Sequence, residues 1–220
     1  MQDNLRDCFS RLPVGTMDLK INKITVGELK TNCYVVKSHK RCFLVDPGAQ
    51  ADKIVESLGE CELLFILLTH CHFDHVLALE QIVDNYPRIK VYVHQADNEL
   101  LKNLSQQRHY SRNTLKDLDI PVKRVKDNQT IKFEDYEITV ITTPGHSHGS
   151  VCYLINGNLF SGDTLFHHAI GRTDFWTGDS VAMRKSLQKL ARLPKNTLVL
   201  PGHGRPTTIQ EELKSGYLIT

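Results

Sequence analysis

The segment THCHFDH at 69–75 places three imidazoles and one carboxylate within six residues, directly after a nearly continuous apolar run. In an extended chain His70 and His72 point to the same side, so both can bind one metal ion. Cys71 lies between them and points to the other side, where it can pack against the core. A group of surface histidines is the alternative, but tandem histidines beside an acid favour a metal site.

Asp74 and His75 are adjacent and cannot both follow that alternation. The chain must therefore curl at this point into the following helix, where the two side chains can face a second ion. A carboxylate in the first turn of a helix is also electrostatically favourable.

Three more candidate ligands follow strand-like runs elsewhere: His146 in TTPGHSHGS, Asp163 in LFSGDTLF and His203 in VLPGHGRP. Strand ends that share one rim can converge in space, and the glycine beside each residue allows a close approach of the backbone. Together the candidates supply six ligands and one bridging carboxylate. Such a set suits two ions on the order of 3.5–4 Å apart.

This pattern, HxHxDH followed by isolated His, Asp and His, resembles the metallo-β-lactamase superfamily from Leu19 onward. The resemblance implies an α/β fold, the four-layer αββα sandwich. It also implies two metal ions. The first would be held by His70, His72 and His146, the second by Asp74, His75 and His203, and Asp163 would bridge the two.

Two further segments carry the resemblance. Asp46 in DPG at 46–48 is expected to be a hydrogen-bonding residue behind the ligands. The stretch GDTLFHHAIGRTDF from Gly162 is similar to the glyoxalase II-like and persulfide dioxygenase-like branch. That similarity suggests that Arg172 and Asp174 shape the substrate entrance; an ion pair that only stiffens the loop is the alternative. Few residues follow His203, so recognition of glutathione by a further helical domain is left open.

The elements that must position these residues form two β-rich halves, each closed by helices, which indicates two stacked sheets covered on both outer faces. The segment 95–125 is polar, with a helix predicted around 98–104 and no other structure assigned. Gly157 and Asn158 predict a two-residue hairpin turn. His39 and His109 are interpreted as solvated and His94 as the end of a strand. His148 lies two residues past a proposed ligand, and His167 and His168 could reach the mouth of the site but are assigned no role.

Length and composition indicate one domain. We expect residues 1–16 to be a flexible tail and 17–220 to be a single domain. The net charge of +2 is too small to favour nucleic acid, and no apolar run approaches the roughly 20 residues that span a bilayer. The opening segment lacks the apolar stretch of a secretory signal, so we expect a cytoplasmic protein with its six cysteines as free thiols.

The chemistry that follows from these residues is hydrolysis. Two divalent ions, zinc most suitably and iron or manganese otherwise, would lower the pKa of a shared water towards roughly 7, and Asp74 could orient this nucleophile. A thioester fits as the small-molecule substrate because a thiolate leaves without a dedicated acid. Lactam hydrolysis and RNA processing are disfavoured, and oligomeric state is left open.

Two other functions remain open. A mononuclear iron oxygenase of the persulfide dioxygenase type could use the same side chains, His70, His72, His146 and Asp163. A metal-stabilised binding module is the third possibility, although structural zinc sites are usually closed and rich in cysteine, unlike this set.

Overall fold

The computed structural model describes residues 19–112 and 114–218. The amino-terminal half of the chain forms a six-stranded mixed sheet. In this sheet the strands lie side by side in chain order: β1 (Lys20–Val26), β2 (Thr31–Ser38), β3 (Arg41–Val45), β4 (Glu62–Leu67), β5 (Lys90–His94) and β6 (Val122–Val125). The pairs β1–β2 and β2–β3 are antiparallel, with Tyr34 opposite Val45, whereas β3 to β6 run parallel.

The second half forms another six-stranded sheet. Its strands are β7 (Thr130–Phe133), β8 (Tyr136–Thr142), β9 (Val151–Ile155), β10 (Asn158–Gly162), β13 (Leu198–Pro201) and β14 (Thr207–Thr208), in the order β14-β13-β10-β9-β8-β7. A small separate hairpin joins β11 (Leu165–Phe166) to β12 (Ala169–Ile170). Because β10 and β13 are parallel and β8–β9–β10 are successively antiparallel, β8, β10 and β13 all point the same way.

Helices follow the strands in both halves. They are α1 (Ala51–Leu58), α2 (Phe73–Val76), α3 (Leu79–Asn85), α4 (Gln95–Lys102), a 3₁₀ helix (Leu104–Tyr110), α5 (Ser180–Leu190) and α6 (Ile209–Ser215). Local capping explains where the last two begin. Asp179 Oδ1 accepts from the backbone N–H groups of Val181 and Ala182 at the start of α5, and Thr208 Oγ1 accepts from Glu211 N at the start of α6.

The alternation of side chains along the strands divides the core into three layers. On β2, Cys33 and Val35 pack beneath the helices of the first half, while Tyr34 and Val36 pack between the two sheets. A third cluster, which includes Leu187, lies between the second sheet and α5 and α6. Three apolar layers separated by two sheets define the αββα sandwich, so the predicted fold is confirmed.

Three details of the sequence interpretation were wrong. The turn between β9 and β10 consists of Asn156 and Gly157, both with positive φ (45° and 75°), one residue earlier than predicted. The helix predicted around 98–104 begins at Gln95, because His94 Nδ1 accepts from Ala96 N and caps it. The rest of the segment 95–125 is not without structure, since it contains the 3₁₀ helix and β6, which pairs with β5.

Other expectations concern the ends of the chain, the cysteines and the membrane. The tail at 1–16 lies outside the described residues, and so does Cys8; the single domain at 17–220 stays a prediction. The remaining five cysteines are free, and Cys33, Cys42 and Cys152 are fully buried. Within 19–112 and 114–218, no helix has the length and apolar character needed to cross a membrane.

Candidate metal centre

The candidate ligands lie at one rim of the sandwich, where four strands end. The segment after β4 carries the tandem histidines, and the segments after β8, β10 and β13 carry His146, Asp163 and His203. Hydrogen bonds join the two sheets at this rim: Val151 N donates to Thr69 O (2.8 Å). The convergence predicted from strand ends is therefore what the structure contains.

Three histidines form the first cluster. His70, His72 and His146 are almost completely buried, and one ring nitrogen of each lies within 4.8 Å of the others. His72 Nδ1 and His146 Nε2 are only 2.8 Å apart. These rings come from two segments that are 74 residues apart in sequence, so the fold and not the local chain builds the cluster.

The second cluster combines Asp74, His75 and His203, whose ligand atoms also lie within 4.8 Å of one another. Asp74 Oδ2 is 3.4 Å from His75 Nε2 and 3.2 Å from His203 Nε2. Asp74 and His75 lie on the short helix α2, as the curl after His72 predicted.

Asp163 lies between the two clusters. Its Oδ1 is 3.3 Å from His75 Nε2, and its Oδ2 is 3.4 Å from both His146 Nε2 and His203 Nε2. One carboxylate thus faces both groups, which is the placement that a bridging ligand requires. All seven residues that the sequence singled out as ligands meet at this point.

Hydrogen bonds behind two of the rings fix which nitrogen faces the centre. Asp46 Oδ2 accepts from His75 Nδ1 (3.0 Å) and from Thr69 Oγ1 (2.6 Å). Because the Thr69 hydroxyl donates to Asp46, it accepts from His70 Nδ1 (3.1 Å). Both imidazoles therefore present Nε2 to the centre, as ligands supported by a carboxylate do. Asp46 itself is 1% exposed and accepts three donors, so it supports the ligands from behind.

The same arrangement recurs with backbone carbonyls. His146 Nδ1 donates to Arg172 O (2.9 Å), and His203 Nδ1 donates to Leu29 O (3.0 Å). Nε2 of each ring then faces Asp163 and is the nitrogen left to bind a metal. In four of the five histidines of the centre, a hydrogen bond behind the ring occupies Nδ1 and leaves Nε2 for the metal.

Unsatisfied buried atoms test whether a metal fits. His70 Nε2, His75 Nε2 and Asp163 Oδ1 are fully buried and have no hydrogen-bond partner. Burial opposes protonation of His75, but the Asp74 and Asp163 carboxylates outweigh it and raise the pKa of His75, so positive charge is favoured between His75 Nε2 and Asp163 Oδ1, which lie 3.3 Å apart. Each orphaned buried acceptor costs about 1–3 kcal/mol unless a cation lies between them. Imidazole and carboxylate donors suit zinc, iron and manganese, so the residues fit a divalent metal.

The two clusters differ in electrostatics. Burial, reinforced by His146, lowers the pKa of His72 to about 3, and burial also lowers the pKa of His70, so both rings are neutral. Burial works against protonation of His203, but the Asp163 and Asp74 carboxylates outweigh it and raise the pKa of His203 to about 9. The carboxylates thus concentrate negative charge at the second cluster, where cations are stabilised.

Two glycines make room for Asp163. A Cβ at Gly202 would collide with Asp163 Oδ1, and a Cβ at Gly171 would collide with the backbone carbonyl of Asp163. The close approach expected at the glycine beside His203 is therefore present. It is the approach of the Gly202 backbone to the Asp163 carboxylate, which lies between the two clusters.

The structure adds a supporting residue that the sequence did not reveal. Asp97 is fully buried and ties the two histidine loops together. Its Oδ2 accepts from Cys71 N (2.9 Å) and Ser147 Oγ (2.8 Å), and its Oδ1 accepts from Gly149 N (2.7 Å). The available signal was its position three residues after β5, the strand beside β4.

Gln107 is a second such residue. Its Oε1 accepts from Phe73 N (2.9 Å) and its Nε2 donates to Cys71 O (3.0 Å). Cys71 itself packs in the core, as the alternation predicted. His109 and His148 are exposed, and His167 and His168 lie in a separate group with Glu211.

The centre opens into a cavity of about 460 Å³. Apolar and aromatic side chains supply much of its wall: Leu29, Phe73, Tyr110, Phe166, Phe175 and Trp176. Arg172 also lines the cavity, and its guanidinium forms two hydrogen bonds of 2.6 Å with the Asp174 carboxylate. The ion pair considered from the sequence is thus present, and Arg172, but not Asp174, is among the residues that line the cavity.

Comparisons with known proteins agree with this geometry. The family model of the metallo-beta-lactamase superfamily matches residues 26–203, and the chain belongs to that superfamily. The "Probable metallo-hydrolase YqgX" of Bacillus subtilis (strain 168) is 34% identical over 203 residues, covering 88% of this chain and 94% of the relative.

Two solved structures are similar over nearly the whole chain. The BLEG-1 B3 metallo-beta-lactamase superposes with a TM-score of 0.84 at 32% identity, covering 91% of this chain and 100% of that one. TTHA1623 in a di-iron-bound form superposes with a TM-score of 0.81 at 32% identity, covering 88% and 98%.

Proposed function

We propose that the protein is a dinuclear metal-dependent hydrolase that cleaves a thioester, in the manner of the glyoxalase II-like branch. The observation that carries the proposal is the position of Asp163 between two groups of inward-facing ligand atoms, at the floor of an open cavity. A closed structural site would leave no space for a substrate. The relative named as a probable metallo-hydrolase supports the reaction class.

The metal ligands are assigned by cluster. His70, His72 and His146 would hold the first ion, Asp74, His75 and His203 would hold the second, and Asp163 would be the ligand shared by both. Divalent ions held there lower the pKa of water and polarise a carbonyl group, which is the chemistry that hydrolysis needs.

Asp74 is the proposed catalytic carboxylate. Its Oδ2 accepts from Thr31 Oγ1 (2.8 Å), and it lies in the first turn of α2. Burial opposes its ionisation, but His75 and His203 outweigh burial and hold the pKa of Asp74 at about 2. An ionised carboxylate that is anchored in this way can accept a hydrogen bond from the attacking water and fix its orientation.

The choice of a thioester comes from the leaving group. A thiol has a reference pKa near 8.5 and departs as thiolate at neutral pH, whereas an amide nitrogen needs a proton. Arg172 is the proposed substrate contact at the entrance. Its guanidinium pairs with Asp174 and lies over the Phe175 ring, with Cζ 4.2 Å from the ring centre.

A second candidate is an iron-dependent persulfide oxygenase. TTHA1623, which is 32% identical to this chain in sequence, has been solved in a di-iron-bound form. This similarity supports iron as a metal for the centre. One iron held by histidines of the first cluster and Asp163 would have open positions for oxygen.

The test combines metal analysis with a substrate panel. Protein loaded with zinc, manganese or iron is assayed with lactoylglutathione, other thioesters, glutathione persulfide and a cephalosporin. We expect two ions per chain and release of thiol from a thioester. One iron per chain with oxygen uptake on the persulfide would support the second candidate instead. Turnover of the cephalosporin alone would make the protein a lactamase, and no turnover would favour a binding module.

His72→Ala and His148→Ala form a matched pair of variants. His148 is an exposed histidine two residues beyond His146, so its loss should change neither metal content nor activity. His72→Ala should lose metal and activity together, and retained turnover would remove His72 from the centre.

A further inference from the structure

Large apolar side chains are exposed at the mouth of the cavity. Leu29, Tyr110 and Trp176 line it, yet they are 51%, 52% and 59% exposed. Exposed apolar groups gathered at one concave place mark a binding surface more often than scattered ones do. Water that covers them would be released by an apolar ligand.

The aromatic side chains form a continuous surface from the first cluster to solvent. The Phe175 ring lies 5.0 Å from the His72 ring and 5.7 Å from the His146 ring, and Tyr110 packs edge-on against Phe175 at 5.1 Å. We call Phe175, Tyr110 and Trp176 the aromatic wall. A group attached to a carbonyl at the metal centre would extend along this wall.

The charges of the cavity favour an uncharged group there. Arg172 is the only lysine or arginine among the described residues that line the cavity. Its two hydrogen bonds to Asp174 compensate its charge. A carboxylate on the bound group would therefore meet no unpaired cation at the wall.

We propose that the aromatic wall binds the acyl group of the substrate and that this group is apolar, a linear or aryl chain longer than acetyl or lactoyl. This inference rests on the proposed thioester hydrolysis and names its substrate class. Each CH₂ that leaves water completely strengthens transition-state binding about fourfold, and a half-buried CH₂ about twofold. From acetyl to hexanoyl, half-burial raises kcat/KM by roughly 16-fold.

The kinetic test uses one neutral thiol with different acyl groups. Acetyl, butanoyl and hexanoyl thioesters of N-acetylcysteamine are compared in the metal-loaded protein by kcat/KM. We expect kcat/KM for the hexanoyl thioester to be roughly 16-fold that for the acetyl thioester in the unmodified protein. This ratio should fall severalfold in Trp176→Ala and Tyr110→Ala. Val181→Ala is the control, because Val181 is 63% exposed and lines a different groove. A ratio near one in the unmodified protein, or an unchanged ratio in both wall variants, overturns the proposal.

A binding test separates this inference from the reaction. Trp176 is the only tryptophan of the chain, so its fluorescence reports on the wall directly. The S-hexyl thioether of N-acetylcysteamine cannot be hydrolysed, and we expect it to shift the emission to shorter wavelength in a saturable manner, with the S-ethyl compound weaker. Saturable binding without thioester turnover would refute the proposed function and leave the wall as an apolar site. Thioester turnover with no response to the S-hexyl compound would refute the wall.

Discussion

Asp97 is predicted to set the metal affinity of the first cluster without touching a metal. Its carboxylate holds the loop that carries His70 and His72 through Cys71 N, and the loop that carries His146 through Ser147 Oγ and Gly149 N. Replacement of Asp97 by alanine removes a carboxylate that bonds to both loops at once. The two loops should then lose their fixed separation.

The magnitude follows from the two backbone donors, Cys71 N and Gly149 N, that are left buried and unpaired in Asp97→Ala, since Ser147 Oγ can still bond to Ser150 Oγ (2.8 Å). Each costs about 1–3 kcal/mol, so we expect a loss of about 2–6 kcal/mol in the free energy of unfolding. Asp97→Asn keeps the acceptor for Gly149 N but turns an amide N–H towards Cys71 N. For this variant we expect a loss of about 1–3 kcal/mol in the free energy of unfolding. Residues behind metal ligands typically change affinity 10–100-fold, which is the predicted loss of zinc affinity in both variants.

The assay has two parts, and Glu212→Ala is the matched control. Urea unfolding of metal-free protein gives stability, and competition with a chromophoric chelator gives zinc affinity. Glu212 is also a fully buried carboxylate with three donors, namely His168 N, Thr207 Oγ1 and Ser215 Oγ, but it lies away from the histidine loops. Glu212→Ala should lose similar stability and retain zinc affinity.

Two results would refute the positioning role of Asp97. Native zinc affinity in Asp97→Asn would show that the loops keep their geometry without the carboxylate. An equal loss of zinc affinity in Asp97→Ala and Glu212→Ala would show that the effect comes from lowered stability alone.

Three further predictions concern the ligands and the surface. Gly202→Ala places a Cβ against Asp163 Oδ1. We expect urea unfolding to show a loss of about 1–3 kcal/mol in the free energy of unfolding, and metal analysis to show reduced metal occupancy. Native metal occupancy would contradict the contact. His203→Ala should lower the metal content towards one ion per chain, and two tightly held ions would exclude His203 as a ligand. Burial raises the pKa of Asp127, but hydrogen bonds from Lys189 and Thr142 N outweigh burial and hold this pKa below its usual 3.8. The ionised carboxylate therefore stabilises the fold at pH values above 3.8, and this contribution is lost as the pH falls through the lowered pKa. The stability difference between the native protein and Asp127→Asn should therefore shrink from about pH 5 to about pH 3, and a constant difference would argue against the pairing.

The sequence predicted the features that depend on local period and chemical type. The order of strands and helices in two β-rich halves, together with the family resemblance, predicted the sandwich. The spacing of His70, His72, Asp74 and His75 predicted the centre, because ligand types at that spacing serve no purpose in a core. The isolated residues followed from the physical rule that strand ends share a rim.

The missed features depend on contacts between distant segments. Asp97 bonds to residues 26, 50 and 52 positions away, and no pattern around it announces these partners. Gln107 lies in a polar stretch where the sequence indicated little structure, yet it supports the histidine loop across 34 and 36 positions. The wrong turn at Gly157 was a shift of one residue, since both Asn–Gly and Gly–Asn pairs can adopt positive φ.

The dinuclear centre is tested most directly by anomalous diffraction from crystals of the zinc-loaded protein. We expect two zinc peaks, one among His70, His72 and His146 and the other among Asp74, His75 and His203, with the Asp163 carboxylate between them. A single peak bound by one cluster, or zinc only at the separate group of His167, His168 and Glu211, would contradict the dinuclear centre.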